Sequence, residues 1–366
     1  MDRITKELEQ NGIYFDWDSY SAGLLSEKQG QVQIVADELA RLLHCPVWQV
    51  LNPRTVIWVF YRNQIYPKSL SVEYLKEHRQ EREEYALLYR LKRLQQFLTQ
   101  YGDRLKGALD EKGRIHAQWL LYGSKTGRMS CSHPNLQAFP GEMKSYFKAE
   151  PGNCLVSGDY SQIELRVLAE LSKDQNMTQC FLDGGDIHRK TASSVFGVPE
   201  EDVTEEQRTI AKRVNFGLCY GISSEGLSKL LTEKAKVPTS RKAAGKMRNA
   251  FYKAYPKILA YHNHLMKAQK INSLGGQVWE DYPHTISRVN LPVQASAAEG
   301  LKEALVLLLD KAPDYVKLVN VIHDEIILEV PEKHAKKAAK LLERCMVEGM
   351  EKLIHSVPIS VDITIN

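Results

Sequence analysis

The 366-residue chain has no apolar run approaching the roughly 20 residues that cross a bilayer. Its first residues, MDRITKELEQ, carry neither an apolar signal core nor an Arg-rich amphipathic pattern. Both absences argue against export and for a cytoplasmic protein that is not secreted and has no membrane partner. Cysteine is scarce and scattered: positions 45, 131, 154, 180, 219 and 345 form no C-x-x-C pair and have no matching histidine spacing. A zinc site or a disulfide scaffold is therefore not expected, and a reducing compartment fits. A strong charge bias is missing too. The 49 Lys and Arg against 45 Asp and Glu leave only +4, so the distribution of charge says more than its sum.

What remains is an ordinary globular composition, 43% hydrophobic and 26% charged, on a chain long enough for more than one core. The stretch CLVSGDYSQIELRVLAEL, residues 154–171, organises the reading. Cys154 to Val156 read as a buried strand, Gly158 as a point where the backbone loosens, and Ser161 as a helix cap. Ile163, Leu165, Leu168 and Leu171 then recur at roughly helical spacing. Asp159 falls at the strand end, facing out, where a carboxylate suits a hard divalent cation; capping the turn is the alternative. Glu164 follows within a helical turn, close enough to border the same pocket.

Before this stretch, residues 1 to about 90 read as mostly helical, and the segment from Glu73 to Leu98 carries Leu75, Leu87, Leu91 and Leu98 among many charges. Arg114 to Leu120 reads as one strand. The following GSKTGRMSCSHPNLQAFP reads as an irregular polar loop holding Lys125, Arg128, Asn135 and Gln137, either a contact surface or an ordinary loop. After it, Thr204 with Gln207 three residues on marks a helix start. Arg208, Lys212, Phe216 and Tyr220 then stand four apart, so they form one stripe. Two cations could grip a polyphosphate and two rings could stack beneath a sugar and a base, with core packing and a solvated edge as the alternative. Between Lys229 and Lys253, eight basic residues face only Glu233, which fits a surface near phosphates.

Near the C-terminus, VNVIHDEIILEV reads as a hairpin presenting His323, Asp324 and Glu325 at its tip. Val357, Ile359, Val361, Ile363 and Ile365 alternate as a strand with one buried face. Asp159 and Asp324 can meet only if their strands are neighbours in one sheet. Together they could then hold two divalent ions about 4 Å apart, the arrangement that serves phosphoryl transfer.

DYSQIELR, the downstream R-x-x-x-K-x-x-x-F-G-x-x-Y-G and VIHDEI resemble motifs A, B and C of the family A DNA polymerases. TGRMSCSHPNLQ, GDIHRKTA and N-L-P-V-Q look like further signatures of that family, in the expected order. ELEQNGIYFD and SLSVEYLK resemble the start of its polymerase module and the end of its thumb. The resemblance implies an α+β right hand: a palm with an antiparallel sheet, helical fingers and a short helical thumb. Residues 1–90 would be thumb-like, 91–182 and 287–366 the palm, and 183–286 the fingers.

By the same resemblance Asp159, Asp324 and the Tyr160 carbonyl would bind two Mg²⁺, with Mn²⁺ as a substitute, and Glu325 would lie nearby. Glu164 would disfavour a ribose 2′-hydroxyl. Arg208, Lys212, His188 and Gln162 would contact the incoming dNTP, Lys212 also protonating the leaving pyrophosphate. Phe216 would pack on the deoxyribose and Tyr220 under the templating pair. Arg128, Asn135, Gln137, Asn290, Gln294 and His323 would touch primer-template DNA. The implied protein is a monomeric, nucleoid-associated, template-directed DNA polymerase. Reverse transcription on an RNA template, primer synthesis and lesion bypass are the alternatives, and an inactive nucleic-acid-binding protein is the outlying one.

Some positions depart from the family pattern. The chain starts where the polymerase module should, leaving no room for exonuclease domains, and the thumb is short. GGQVWEDYPHTISR replaces a longer Arg-rich segment, and QASAAE replaces Gln-Gly-Thr-Ala-Ala-Asp. None of these changes removes an expected metal ligand.

Overall fold

The computed structural model describes residues 2–282 and 285–366; positions 283 and 284 of the GGQVWEDYPHTISR segment lie outside the described residues. The chain forms two compact units. One comprises Gly12–His116 and Ala138–Lys148, the other Met1–Asn11, Ala117–Gln137 and Ala149–Asn366.

The first unit is helical, as the periodicity of the early chain implies. Helices Ser26–Leu42 and Glu83–Tyr101 pack on each other, and Leu39, Leu43, Phe60, Leu75, Leu88 and Leu91 are buried between these and shorter helices. The segment from Glu73 to Leu98 is two helices rather than one, because Arg79–Arg82 offers no apolar side chain to anchor a continuous helix. Arg114 to Leu120 is likewise split. Arg114–Ile115 pairs with Ile13–Tyr14 in this unit, whereas Gln118–Leu120 pairs with Ser130–Ser132 in the other. The polar loop is thus less irregular than its turn residues suggest.

The second unit is built on an antiparallel sheet of β1 (Asn153–Tyr160), β2 (Lys317–Ile322), β3 (Glu325–Pro331) and β4 (Val361–Ile365), in the order β4-β1-β3-β2. Val156, Val319, Val321, Ile326, Leu328 and Val330 are completely buried. Each such side chain contributes about 1.5–3 kcal/mol relative to leaving it in water. Among the helices that follow β1, three carry site residues: α1 (Ile163–Ser172), α2 (Ile187–Phe196) and α3 (Glu205–Cys219). The long α4 (Thr285–Lys311) packs on α5 (Ala335–Glu351), which lies against β1 and β4.

Gly158 is regular strand, not a loosened backbone. A Cβ there would meet Met346 Sδ at 2.6 Å and Leu342 and Ile363 beyond 3 Å, so glycine lets α5 approach the sheet. Gly349 does the same between α5 and α4, where a Cβ would lie 2.4 Å from the Ala304 backbone nitrogen. The C-terminal strand is shorter than its alternation implies. It begins at Val361 and lies at the sheet edge, where none of its residues is fully buried.

Candidate active site

β1 ends where the chain must turn into α1, and the turn is made by Gln162 in the left-handed region at φ +55°, not by a Ser161 cap. The Gln162 carbonyl accepts from the Leu165 and Arg166 N–H groups and starts the helix. Tyr160 points its ring inward and donates its hydroxyl to the Met346 carbonyl at 2.6 Å. Its side chain is an anchor, and only its backbone is left for chemistry.

The hairpin between β2 and β3 turns on two residues, His323 at φ +56° and Asp324, with Glu325 already the first residue of β3. The sheet register sets Asp159 opposite Glu325, and the Tyr160 N–H donates to the Asp324 carbonyl at 3.3 Å. The strand-end acid and the hairpin-tip acid are therefore brought to one end of the sheet by adjoining strands. Asp362 of β4 stands opposite Asp159 on its other side, an acid the sequence reading missed. Asp159 is exposed and Asp324 half-buried. Burial, and after it the charge of Asp159, pushes Asp324 up to about 6.

Hard carboxylate oxygens that raise one another's cost of ionisation suit a divalent cation, so Asp159 and Asp324 fit the Mg²⁺ role. Among the described residues no group of three or more His, Cys, Asp or Glu side chains could hold a metal ion. Mg²⁺ sites of one or two carboxylates completed by water and substrate phosphate need no such group.

Glu164, in the first turn of α1, is buried and doubly engaged. One oxygen takes Arg128 Nη2 at 2.6 Å and the other takes the Tyr220 hydroxyl. Burial and the Glu164 charge push the Tyr220 phenol up, and Gln294 of α4 also hydrogen-bonds it. Four residues assigned separately to sugar, primer and template thus form one connected cluster. Tyr220 itself lies one residue past the end of α3. Asn290 lies one turn before Gln294, with Oδ1 buried and unpartnered among the described residues.

α3 starts with the capping box expected of Thr204 and Gln207. Along it Arg208 is half-buried, Lys212 is exposed without an ion-pair partner among the described residues, and Phe216 is half-buried. Arg208 is held by Asp186, which also caps α2 through the His188 and Arg189 N–H groups. Burial alone would raise Asp186, yet Arg208 and those backbone groups hold it below the usual carboxylate range. The sequence reading gave Asp186 no role, although an Asp directly before a helical run is a cap signal.

His188 is buried on α2, 5.9 Å ring to ring from Phe216. Its Nδ1 faces Asn215 Nδ2 at 2.8 Å, and the same amide reaches the Ile187 carbonyl. A carbonyl can only accept, so the Asn215 amide donates to both, and the His188 proton sits on Nε2. That Nε2 is buried with no partner among the described residues. Burial, reinforced by Lys212 and Arg208, lowers His188 to about 4. It is a neutral donor waiting for an acceptor. Asn215, three residues beyond Lys212, was also missed by the sequence reading.

Of the other expected contacts, Asn135 accepts from the Gln137 N–H at 3.0 Å, and Gln137 Nε2 donates to the Val321 carbonyl at 3.0 Å, pinning the loop to β2. The basic region around helix Arg241–Ala254 is largely exposed; Lys229 pairs with Glu225, and Arg248 lies over the Tyr252 ring.

His262 matches His188 in one respect: it is buried, lowered to about 4 by burial and by Arg248, and leaves Nε2 unpartnered. For both, a folded value near 4 against 6.5 when exposed means the unfolded chain binds more protons between those limits. Stability is therefore lost as pH falls from 6.5 toward 4, by about 3 kcal/mol per histidine over the whole window. Urea unfolding at pH 7 and pH 5 should show this as a lower midpoint at pH 5. Replacing both histidines with glutamine should flatten the difference, and an unchanged difference would place the acid sensitivity elsewhere.

Sheet, helices and site together define an α+β fold of the right-hand polymerase class. The polymerase domain of Pol1 from M. smegmatis, solved in complex with DNA primer-template and dNTP, superposes with a TM-score of 0.82 over 100% of this chain and 68% of that chain, at 24% identity. A family model for DNA polymerase family A matches residues 61–366, and the chain belongs to that family. Among its relatives, DNA polymerase I of Aquifex aeolicus is 36% identical over 285 residues, covering 74% of this chain and 49% of that protein. DNA polymerase I of Caldicellulosiruptor bescii is 31% identical over 321 residues, 81% of this chain and 37% of that protein. The thermostable DNA polymerase I of Thermus aquaticus is 35% identical over 279 residues, 69% of this chain and 32% of that protein. The chain thus spans half or less of the length of these curated relatives. Among the described residues no helix is long and apolar enough to cross a membrane.

Proposed function

We propose that this chain is a template-directed DNA polymerase that joins dNTPs to a primer 3′-hydroxyl, working in the cytoplasm on nucleoid DNA. The observation that carries the reading is the convergence of Asp159 and Asp324 at one end of the sheet, where burial and, after it, the Asp159 charge hold Asp324 near 6. Residues 91–182 and 287–366 would act as palm, 183–286 as fingers and 1–90 as thumb.

Divalent metal ions serve the family generally. Asp159, Asp324 and the Tyr160 carbonyl would hold two Mg²⁺, or Mn²⁺ in their place. Bound there, such ions supply charge neutralisation for the attacking and leaving oxygens. The rest is positioning by this chain. Arg208 and Lys212 meet the triphosphate, and His188 Nε2–H donates a neutral hydrogen bond to it. Asn215 fixes the His188 tautomer. Phe216 packs on the sugar. Lys212 Nζ gives a proton to the departing pyrophosphate oxygen. Glu164, held by Arg128 and Tyr220, presents an occupied carboxylate where a 2′-hydroxyl would need space.

The test is extension of a labelled primer on a DNA template with Mg²⁺ and each nucleotide type in turn. A ladder with dNTPs and little with rNTPs is expected. A parallel RNA template separates DNA copying from reverse transcription. Absence of any nucleotide addition across Mg²⁺, Mn²⁺ and both templates would sink the proposal.

A further inference from the structure

The helix Val56–Arg62 in the Gly12–His116 unit carries apolar side chains on both faces. Val56, Val59 and Phe60 enter the core, as an amphipathic helix requires. The outward positions, where polar residues are expected, are Trp58, Tyr61 and Arg62 at i, i+3 and i+4. Trp58 is 69% exposed and Tyr61 40%; Tyr66, just beyond the helix, is 71% exposed. The rings are contiguous. Trp58 and Tyr61 lie 6.2 Å apart nearly edge to face, and Tyr61 and Tyr66 lie 5.7 Å apart at 34°.

The segment that carries this ridge is one-sided in charge. From Leu39 to Val72 the sequence holds no Asp or Glu, while Arg41, Arg54, Arg62 and Lys68 fall within it, all exposed. Exposed rings on a segment that carries cations and no acids offer flat faces to bases and charge to phosphates. In duplex nucleic acid those base faces are already stacked; in a single strand they are free. A protein occupant would call for apolar complementarity, with no reason for acids to be excluded over 34 residues.

We propose that the Trp58–Tyr61–Tyr66 ridge is a binding site for single-stranded nucleic acid, its rings stacking unpaired bases while Arg54, Arg62 and Lys68 contact the backbone. The site goes beyond the proposed polymerase chemistry and does not depend on it, since none of the Asp159–Asp324 groups takes part.

The test uses the full chain and a short oligothymidylate carrying bromodeoxyuridine, without divalent metal. Ultraviolet cross-linking followed by peptide mapping should place adducts on Trp58 or Tyr66. Titration should show Trp58→Ala weakening the single strand about tenfold and Trp58→Ala with Tyr66→Ala about a hundredfold, with a matched duplex much less affected. Trp58→Phe should retain most of the affinity. Arg54→Glu with Lys68→Glu, which leaves the rings untouched, should weaken binding and lower the salt dependence by about two counterions. Adducts confined to other segments, or an unchanged affinity in both the ring and the charge variants, overturn the proposal. So does self-association that Trp58→Ala abolishes, because the ridge would then be covered by protein.

Discussion

Asp159→Ala and Asp324→Ala are each expected to lower single-nucleotide incorporation by on the order of 10³-fold or more, the scale of several kcal/mol of lost transition-state charge stabilisation. Affinity for primer-template should hold, because the proposed phosphate contacts are the exposed cations of the 229–253 region and not these acids. A second readout separates function from folding. Asp324 sits near 6 because burial and Asp159 oppose its ionisation. A carboxyl raised in this way makes the folded state less stable as pH climbs from 3.8 to 6, so at pH 7 the strain is complete. Allowing for its residual solvent contact, Asp324→Asn should stabilise the metal-free protein by roughly 1–2 kcal/mol while removing activity. Rapid-quench incorporation and urea unfolding measure the two effects. Retained incorporation in both alanine variants would mean the reacting centre lies elsewhere.

Lys212→Ala should reduce the rate of the chemical step by about 10²–10⁴-fold, the range for losing a positioned general acid. Of the two cations in the stripe along α3, Arg208 is already neutralised by Asp186, whereas Lys212 is exposed with no ion pair among the described residues. Its charge is available for a newcomer. Single-turnover incorporation should fall far more than dNTP affinity, because a proton given to the leaving group acts only in the transition state. An effect confined to affinity would reduce Lys212 to a phosphate clamp.

Much of this arrangement was legible in the chain because it is local. The hairpin at His323–Asp324 announces itself by two β-rich runs around ionisable residues, and the Thr204–Gln207 capping box by spacing alone. The outward face of Asp159 follows from strand alternation. What could not be read depends on partners distant in sequence. Gly158 reads as flexibility until Met346 is seen against it. Asn215 reads as a neutral helix residue until His188 is found beside it. Glu164, Arg128, Tyr220 and Gln294 each carried a separate expectation, and only the folded chain joins them. Arg114 to Leu120 reads as one strand because its pattern is continuous, yet its two halves find partners in different units.

Asp362, Asp159 and Glu325 stand side by side across three strands drawn from separate parts of the chain. Like charges directly opposite weaken a ladder, so the repulsion along this row works against the pairing that places it. Salt screens repulsion between exposed charges, so along this row dissolved ions ease the ladder instead of weakening it. The place best suited to chemistry is also the place where the architecture leans on its solvent.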